Sequence, residues 1–274
     1  MRAGVLLSGC AVALASTLGC AHALREPPPL AQLGAPQSRP SDSTDVETLL
    51  RQAEILYARR SLEAAQDASD VYLQAAQADP TRIEGLVGAV KSQIWILDHE
   101  PDRGKRASAA VLAVQAAQWC QRIAPTSPEC DYWLGAALGV QARERSSTAL
   151  DALPRIEELF QRAAGADPGL EEGGPSRALA LLYARAPGWP TGPGDPERAL
   201  AEARKAVALK PDYPLNQLAL GEALDLNGDS RGARDAYSRA LDLAKSRQAA
   251  GDPDAAEWIQ QAEKALRSKP PISP

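Results

Sequence analysis

The sequence has few of the side chains that usually carry out catalysis or bind nucleic acids. Its 274 residues include two histidines, one phenylalanine and one methionine, and aromatic residues make up 4% of the chain. The formal net charge is -5, and no basic stretch alternates with stacking aromatics, so we expect no nucleic-acid partner. Because His22 and His99 lack neighbouring ligands at metal-binding spacing and no glycine-rich phosphate loop is found, we predict no metal, cofactor or enzyme activity.

Small and medium-sized apolar side chains are abundant instead. Hydrophobic residues make up 45% of the chain, and with so few aromatics the core must consist mainly of Ala and Leu. Such residues have to pack closely to fill a core, and helices can do so. The composition therefore predicts an all-α protein.

The first residues are typical of an export signal. Arg2 precedes an apolar run that ends at Cys20 and is too short for a stable membrane span. Cys20 follows Thr17-Leu18-Gly19 and resembles the lipid-modified cysteine of bacterial lipoproteins, so we favour a protein anchored on the periplasmic side of the outer membrane. The alternative is cleavage after Ala21-His22-Ala23, which would release a soluble periplasmic or secreted chain.

Composition divides the rest of the chain. Residues 1–19 are the predicted signal peptide, and residues 20–44, rich in Pro, Gln and Ser, are predicted to be a flexible tether because they can bury little apolar surface. The folded domain is expected over residues 45–268. Residues 269–274 are expected to form a disordered tail.

The predicted domain repeats one pattern of small and large residues. In the last copy, Gly221, Ala233, Tyr237 and Ala240 have the spacing of the tetratricopeptide repeat, in which two antiparallel helices meet at small residues. Four upstream sets share the second-helix spacing: Ala68, Tyr72, Ala75 and Pro80; Ala113, Ala117, Cys120 and Pro125; Ile156, Phe160, Ala163 and Pro168; Ala199, Ala203, Ala206 and Pro211. The pattern predicts an α-solenoid of about five helical hairpins.

The predicted hairpins differ in length. First helices are expected near residues 46–60, 82–97, 129–145, 175–186 and 215–227, and a final helix after Asp252 is expected to cap the last repeat. The third hairpin has about nine extra residues in "RERSSTALDAL", and the fourth has the long proline- and glycine-rich stretch Ala186 to Asp195. Both insertions lie inside a hairpin, so we expect them at the same edge of the solenoid.

Cys120 and Cys130 flank a short turn between two predicted antiparallel helices. Each would lie about one helical turn from the loop, close enough for a disulfide in an oxidising compartment. The alternative is that both are buried small residues, since Cys120 occupies an alanine position of the repeat.

Three stretches carry a more specific resemblance: "YWLGAALG" from Tyr132, "GGPSRALALLYARAPGWP" from Gly173 and "GDPERALAEARKAV" from Gly194. They resemble TatT, the tetratricopeptide component associated with tripartite ATP-independent periplasmic (TRAP) transporters. The resemblance implies a lipid-anchored helical protein that works beside a periplasmic substrate-binding protein and holds a small apolar or organic-acid ligand.

Three residues of these stretches are candidates for ligand or partner binding. Trp133 follows Tyr132 on one helix, so one of the two is expected to face the core and the other the concave side. Arg177 either contacts a ligand or binds Glu171, Glu172 or nearby carbonyls, and we favour the structural role. Trp189 either fills a groove or is available to a partner.

These observations favour a non-enzymatic scaffold that binds a protein on the concave face of its solenoid. One alternative is a small-molecule binding or relay protein, and another is an outer-membrane or pilus assembly lipoprotein. Oligomerisation is left open by the sequence.

Overall fold

The computed structural model describes residues 26–34, 45–144 and 146–268. The predicted signal peptide, Cys20 and the tail at 269–274 lie outside these residues. The described chain begins with a short 3-10 helix, Leu30–Gln32, and continues with eleven α-helices. These are α1 (Val46–Tyr57), α2 (Leu62–Ala78), α3 (Glu84–His99), α4 (Arg103–Ile123), α5 (Pro128–Glu144), α6 (Ser146–Ala166), α7 (Leu170–Arg185), α8 (Pro196–Leu209), α9 (Pro214–Leu226), α10 (Ser230–Ala249) and α11 (Ala255–Arg267).

Helices α1 to α10 form five antiparallel hairpins, and α11 packs against α10 and α9. The first helices of successive hairpins also contact one another, in the order α1, α3, α5, α7 and α9. This arrangement stacks the hairpins into a solenoid, with the first helices on one face, which we call the inner face. The predicted all-α solenoid of five hairpins and a capping helix is confirmed.

Small residues allow the paired helices to approach closely. A Cβ atom at Gly135 of α5 would lie 2.7 Å from the Phe160 ring of α6, so a larger residue would push the helices apart. Ala163, Ala206 and Ala240 of the second helices are completely buried. The alanine spacing in the sequence therefore marks the surfaces on which the helices meet.

The insertion in the third hairpin differs from the expected turn. Helix α6 begins at Ser146, only two positions after the last residue of α5, so the extra residues lengthen α6 to 21 residues. Ala152 and Leu153 are buried by this extension. A segment rich in Ala and Leu forms helix readily, and burying these two side chains stabilises it further.

Residues 26–34 also differ from the expected flexible tether. They lie against α2 and α4, and Pro27, Leu30 and Leu33 are buried there. Burial of three apolar side chains at short intervals is enough to hold residues 26–34 against the helices, although the neighbouring sequence is polar.

No helix within the described ranges combines the length and apolar character needed to cross a bilayer.

Candidate partner-binding surfaces

The most exposed large apolar side chain of the described chain is Trp189. It is 90% exposed and lies in the loop of residues 186–195, which we call the Trp189 loop. Backbone hydrogen bonds cross this loop: Gly194 N donates to Pro187 O at 2.9 Å, and Thr191 N donates to Gly188 O at 3.0 Å. The ring is therefore presented by an ordered backbone rather than packed as a plug in a groove.

The base of the Trp189 loop is attached to α7 and α8. Asp195 N donates to Tyr183 O at 2.9 Å, and the Asp195 carboxylate accepts from two backbone N–H groups in the first turn of α8. The Tyr183 hydroxyl donates to Glu157 of α6 at 2.9 Å, and the Arg198 guanidinium lies 3.9 Å from the centre of the Tyr183 ring. Burial raises the pKa of Tyr183 to about 12, so this hydroxyl keeps its proton at neutral pH.

The two insertions meet at one edge of the solenoid, as their positions inside hairpins predicted. A Cβ atom at Gly192 would lie 3.1 Å from Cδ1 of Leu153 in the α6 extension. The Trp189 loop thus packs on the extended helix, and the exposed Leu150 lies one helical turn before Leu153. We call the edge that carries the turns inside hairpins the loop edge.

Arg177 lies at the start of the regular part of α7. Its side chain is 9% exposed and donates to the carbonyl oxygens of Glu171 at 3.2 Å and Glu172 at 3.3 Å, and to Oδ1 of Asn216 at 2.9 Å. All these acceptors belong to the chain itself. The guanidinium therefore has the structural role rather than direct access to a ligand.

The carbonyls that Arg177 binds belong to an unusual stretch of backbone. Glu171, Glu172 and Gly173 are left-handed, with φ values of 48°, 59° and 79°. Two consecutive glutamates in this region are strained, so surrounding contacts must stabilise them. Asn216 of α9 contributes, because its Nδ2 donates to Glu172 O at 2.9 Å and to Ala206 O at 3.0 Å.

The strained turn places the Glu171 side chain beside α3. Its Oε1 lies 2.6 Å from Lys91 Nζ, and both side chains are 31% exposed. Lys91 Nζ also lies 5.1 Å from the centre of the Trp133 ring on α5. Lys91, Glu129, Trp133 and Glu171 form what we call the inner cluster, which joins the first helices of three successive hairpins.

Trp133 and Tyr132 have the different environments that their adjacent positions predicted. Tyr132 is buried, with its ring centre 5.8 Å from that of Phe160, whereas Trp133 is half-buried in the inner cluster. The Trp133 Nε1 atom is buried and has no hydrogen-bond partner. An indole N–H without an acceptor is unusual in a folded protein and is a donor available to a ligand oxygen after a small rearrangement.

Glu129 adds a second carboxylate to the inner cluster. Burial raises its pKa, and the nearby Glu171 carboxylate raises it further, while Lys91 acts in the opposite direction. Burial raises the pKa of Tyr57, at the end of α1, and of Tyr213, just before α9, to about 12. The inner face thus combines aromatic rings with carboxylates, and Lys91 already pairs with Glu171.

Cys120 and Cys130 are joined. Their sulfurs lie 1.97 Å apart and their Cα atoms 5.3 Å apart, and both residues are completely buried. The disulfide links the end of α4 to the start of α5 across a four-residue turn. A disulfide can form at this separation of ten residues because each cysteine lies about one helical turn from the loop, which brings the two helix ends together.

His99 has structural neighbours. Its ring stacks on Trp95 at 3.8 Å between centres, Nδ1 lies 2.7 Å from Trp95 O, and Nε2 lies 3.6 Å from a Glu257 oxygen. Among the residues that the structure describes, no group of three or more His, Cys, Asp or Glu side chains could hold a metal ion.

Two clefts lie between second helices on the side opposite the inner face. One of about 1000 Å³ separates α2 from α4 next to Gly34, and one of about 550 Å³ separates α6 from α8. Both are open to solvent and lined by a mixture of apolar and polar side chains, including Gln66 and Leu112 in the first and Lys205 and Leu209 in the second.

Comparison with solved structures identifies the architecture. The whole of TTC0263, a thermophilic TPR protein from Thermus thermophilus, aligns with 81% of this chain. The identity is 19% and the TM-score is 0.61. This is a tetratricopeptide-repeat fold. In a monomeric mutant of IFIT1 with a capped RNA, 51% of the IFIT1 chain aligns with 84% of this chain. The identity is 16% and the TM-score is 0.53.

At these identities, the likeness establishes the tetratricopeptide fold alone. No protein-family profile and no curated protein sequence matches the chain.

Trp133, Arg177 and Trp189 are marked as candidates by the sequence, whereas the residues that surround them in the fold carry no sequence signal. Lys91 and Glu129 lie on first helices with no local motif, and only the stacking of hairpins brings them to Trp133. Asn216 likewise has no sequence signal that would connect it with Glu172, 44 residues earlier. Trp189 is separated from the inner cluster in the fold, since it lies on the loop edge.

Proposed function

We propose that this protein is an exported, lipid-anchored, non-enzymatic scaffold whose Trp189 loop binds a protein partner. The observation that carries the proposal is the 90% exposure of a tryptophan on a hydrogen-bonded loop. A free protein gains no stability from leaving such a ring in water, whereas rigid exposed tryptophans are frequent anchors of protein interfaces. Because the loop is already ordered, little conformational entropy is lost when a partner covers it.

The inner face supplies a second contact region for the same partner. Lys91, Trp133 and Glu171 offer charge, an aromatic face and a buried N–H donor to an extended segment lying along the first helices. Tetratricopeptide solenoids present such a concave surface along their whole length. A partner that reaches both regions would bind more tightly than one that uses either alone.

Site-specific photocrosslinking in the native cell tests the scaffold role. Benzoylphenylalanine at position 189 is expected to capture one discrete protein. The matched control places the same group at position 55, because Ile55 is another large apolar residue that is 63% exposed. Crosslinks that are absent at both positions, or identical at the two, would contradict partner binding through the Trp189 loop.

The lipid anchor rests on the leader and Cys20, and it has its own test. Metabolic labelling with a fatty-acid analogue such as alkynyl palmitate should mark the wild type and should not mark Cys20→Ser. A mature protein that begins at Leu24 without lipid would replace the anchored form by a soluble one.

For the partner, we propose the substrate-binding protein of a TRAP transporter, on the basis of the resemblance in residues 132–139 and 173–207. Neighbouring genes for a TRAP permease and its binding protein would support this choice. If the crosslinked protein is instead an outer-membrane or pilus assembly component, the scaffold role stands and the transporter association is wrong.

A second candidate function is small-molecule binding, which the inner cluster favours. The unpaired Trp133 N–H could donate to a carboxylate oxygen, and Lys91 would have to exchange its ion pair with Glu171 for one with the acid. Isothermal titration with a series of small organic acids tests this function. Binding that disappears in Trp133→Phe but survives in Trp95→Phe would support it, and no heat with any acid would count against it.

A further inference from the structure

The segment of residues 26–34 is held on the outside of the first two hairpins by polar as well as apolar contacts. Trp119 Nε1 donates to Pro28 O at 2.8 Å, and Gln77 Nε2 donates to Leu30 O at 3.1 Å and Leu33 O at 3.3 Å. Side chains of both α2 and α4 therefore bind the backbone of this segment. The burial of Leu30 and Leu33 adds the apolar part of the interaction.

The direction of the segment shows where the preceding chain leaves the domain. Glu26 pairs with Arg122, which is the last residue but one of α4, at 3.1 Å. Gly34, at the other end, approaches Leu73, which lies five residues before the last residue of α2. Glu26, the first residue that the structure describes, thus lies at the edge that carries the turns between hairpins, at residues 79–83, 124–127, 167–169 and 210–213, which we call the turn edge.

This exit point sharply reduces the distance between the domain and the lipid anchor. Cys20 is six residues before Glu26, and six extended residues span at most about 20 Å. A free tether running from Cys20 to Asp45 would reach about 85 Å. Docking of residues 26–34 therefore converts a long tether into a short one attached at a defined edge.

We propose that the turn edge lies against the lipid surface and that the Trp189 loop faces away from it. The proposal rests on the lipid anchor at Cys20 put forward above. Helix α4 has 21 residues and so is about 31 Å long, which separates the two edges. The membrane would hold the domain with Trp189 directed outward, where a partner can reach it.

The anchor, rather than the charge of the turn edge, imposes this orientation. Arg162 and Lys210 lie near this edge, but Arg162 pairs with Asp131 at 2.9 Å and Lys210 with Glu172 at 3.3 Å. Paired charges attract lipid headgroups weakly, and salt screens them. The orientation should therefore persist on uncharged membranes and in high salt.

Fluorescence quenching on vesicles tests the orientation. Lipidated full-length protein carries one fluorophore on either Thr126→Cys, in a turn of the turn edge, or Thr191→Cys, in the Trp189 loop; both threonines are exposed. The vesicles consist of phosphatidylcholine with a nitroxide on a fraction of the headgroups. We expect quenching at position 126 to be at least about five-fold stronger than at position 191, because about 30 Å separates the edges.

A variant that releases the segment makes the test specific. Leu30→Asp with Leu33→Asp removes the apolar contacts but leaves residues 45–268 unchanged, so helical content should be preserved. In this variant the difference between positions 126 and 191 should fall to less than about two-fold. Equal quenching in the lipidated wild type, or a difference that persists in the double variant, would overturn the orientation.

Mass spectrometry of the same samples separates the two proposals. Lipid on Cys20 with equal quenching at both positions would reject the orientation and leave the anchored scaffold intact. Cys20 without lipid would reject the anchor, and the orientation with it.

Discussion

Arg60 and Asp254 form a bidentate ion pair between residues that are 194 positions apart in the chain. Nε of Arg60 lies 2.5 Å from Oδ1 of Asp254, and Nη2 lies 2.9 Å from Oδ2. Arg60 follows α1 and Asp254 precedes α11, so the pair joins the first hairpin to the capping helix. The contact between His99 and Glu257, at 3.6 Å, lies beside it. The two ends of the solenoid therefore meet instead of remaining apart.

Loss of this ion pair should weaken the contact between the first hairpin and α11 and have little effect on overall stability. The side chains of Arg60 and Asp254 are 19% and 30% exposed, so we expect Arg60→Ala to lower the free energy of unfolding by about 1 kcal/mol. Amide hydrogen exchange at the start of α11 should become faster. Arg267→Ala, which breaks an exposed pair with Glu263, is the control. Exchange in α11 that is equal in both variants would show that the ion pair does not hold the ends together.

The disulfide should contribute measurably to stability. Replacing both Cys120 and Cys130 by Ser is expected to lower the free energy of unfolding by about 2 to 3 kcal/mol, because a ten-residue loop is no longer closed in the unfolded chain. Urea unfolding with and without dithiothreitol measures the effect, and the reducing agent should leave the double variant unchanged. Two free thiols in a non-reducing peptide map of the native protein would disprove the disulfide.

Trp189 should matter for binding and hardly at all for folding. Trp189→Ala is expected to leave helical content and the thermal midpoint nearly unchanged, while weakening partner capture by about 1 to 3 kcal/mol. Trp258→Ala is the matched control, since Trp258 is 7% exposed and packs on Tyr213. It should lower stability by about 3 to 5 kcal/mol. A large drop in the midpoint for Trp189→Ala, with binding unchanged, would make Trp189 a structural residue.

Arg177 should behave in the opposite way. Arg177→Ala removes three donated hydrogen bonds and leaves the Glu171 and Glu172 carbonyls without this donor, so we expect a loss of about 2 to 4 kcal/mol. Arg185→Ala controls for loss of charge, because its pair with Glu222 is solvent-exposed and should contribute less than about 1 kcal/mol. Equal urea midpoints for the two variants would mean that the strained turn does not depend on Arg177.

Glu129 should make stability depend on pH. Burial raises its pKa in the folded protein, so the protonated form fits the fold better than the carboxylate. This contribution is fully present below the ordinary pKa of a glutamate and is lost as the pH rises through the folded value. Glu129→Gln should therefore raise the thermal midpoint by about 1 to 3 °C at pH 7 and have no effect near pH 3.5.

Glu54→Gln is the control for this pH dependence, because Glu54 is an exposed glutamate of α1. Its thermal midpoint should follow that of the wild type at both pH values. A stabilisation by Glu129→Gln that is equally large at low pH would show that packing, rather than ionisation, is responsible.

The repeat pattern was enough to predict the hairpins because the physics of each helix pair is local. Ala163, Gly135 and Phe160 belong to one hairpin, and their spacing requires that the two helices meet at those residues. The left-handed Gly173 and the helix start at Pro175 are equally local. The length of α6 was harder to predict, because "RERSSTALDAL" can form either a turn or a helix and the burial of Leu153 decides between them.

The sequence by itself thus determined the all-helical class, the five hairpins, the capping helix and the spacing of Cys120 and Cys130, since each depends on residues close together in the chain. Only the tertiary structure decided that Trp189 is exposed and that Arg177 binds carbonyls of its own chain. The same holds for the docking of residues 26–34 and for the contact between Arg60 and Asp254. These features depend on where whole helices lie after the hairpins stack. Small rotations accumulate from one hairpin to the next, and the local sequence pattern of a single hairpin does not reveal their sum.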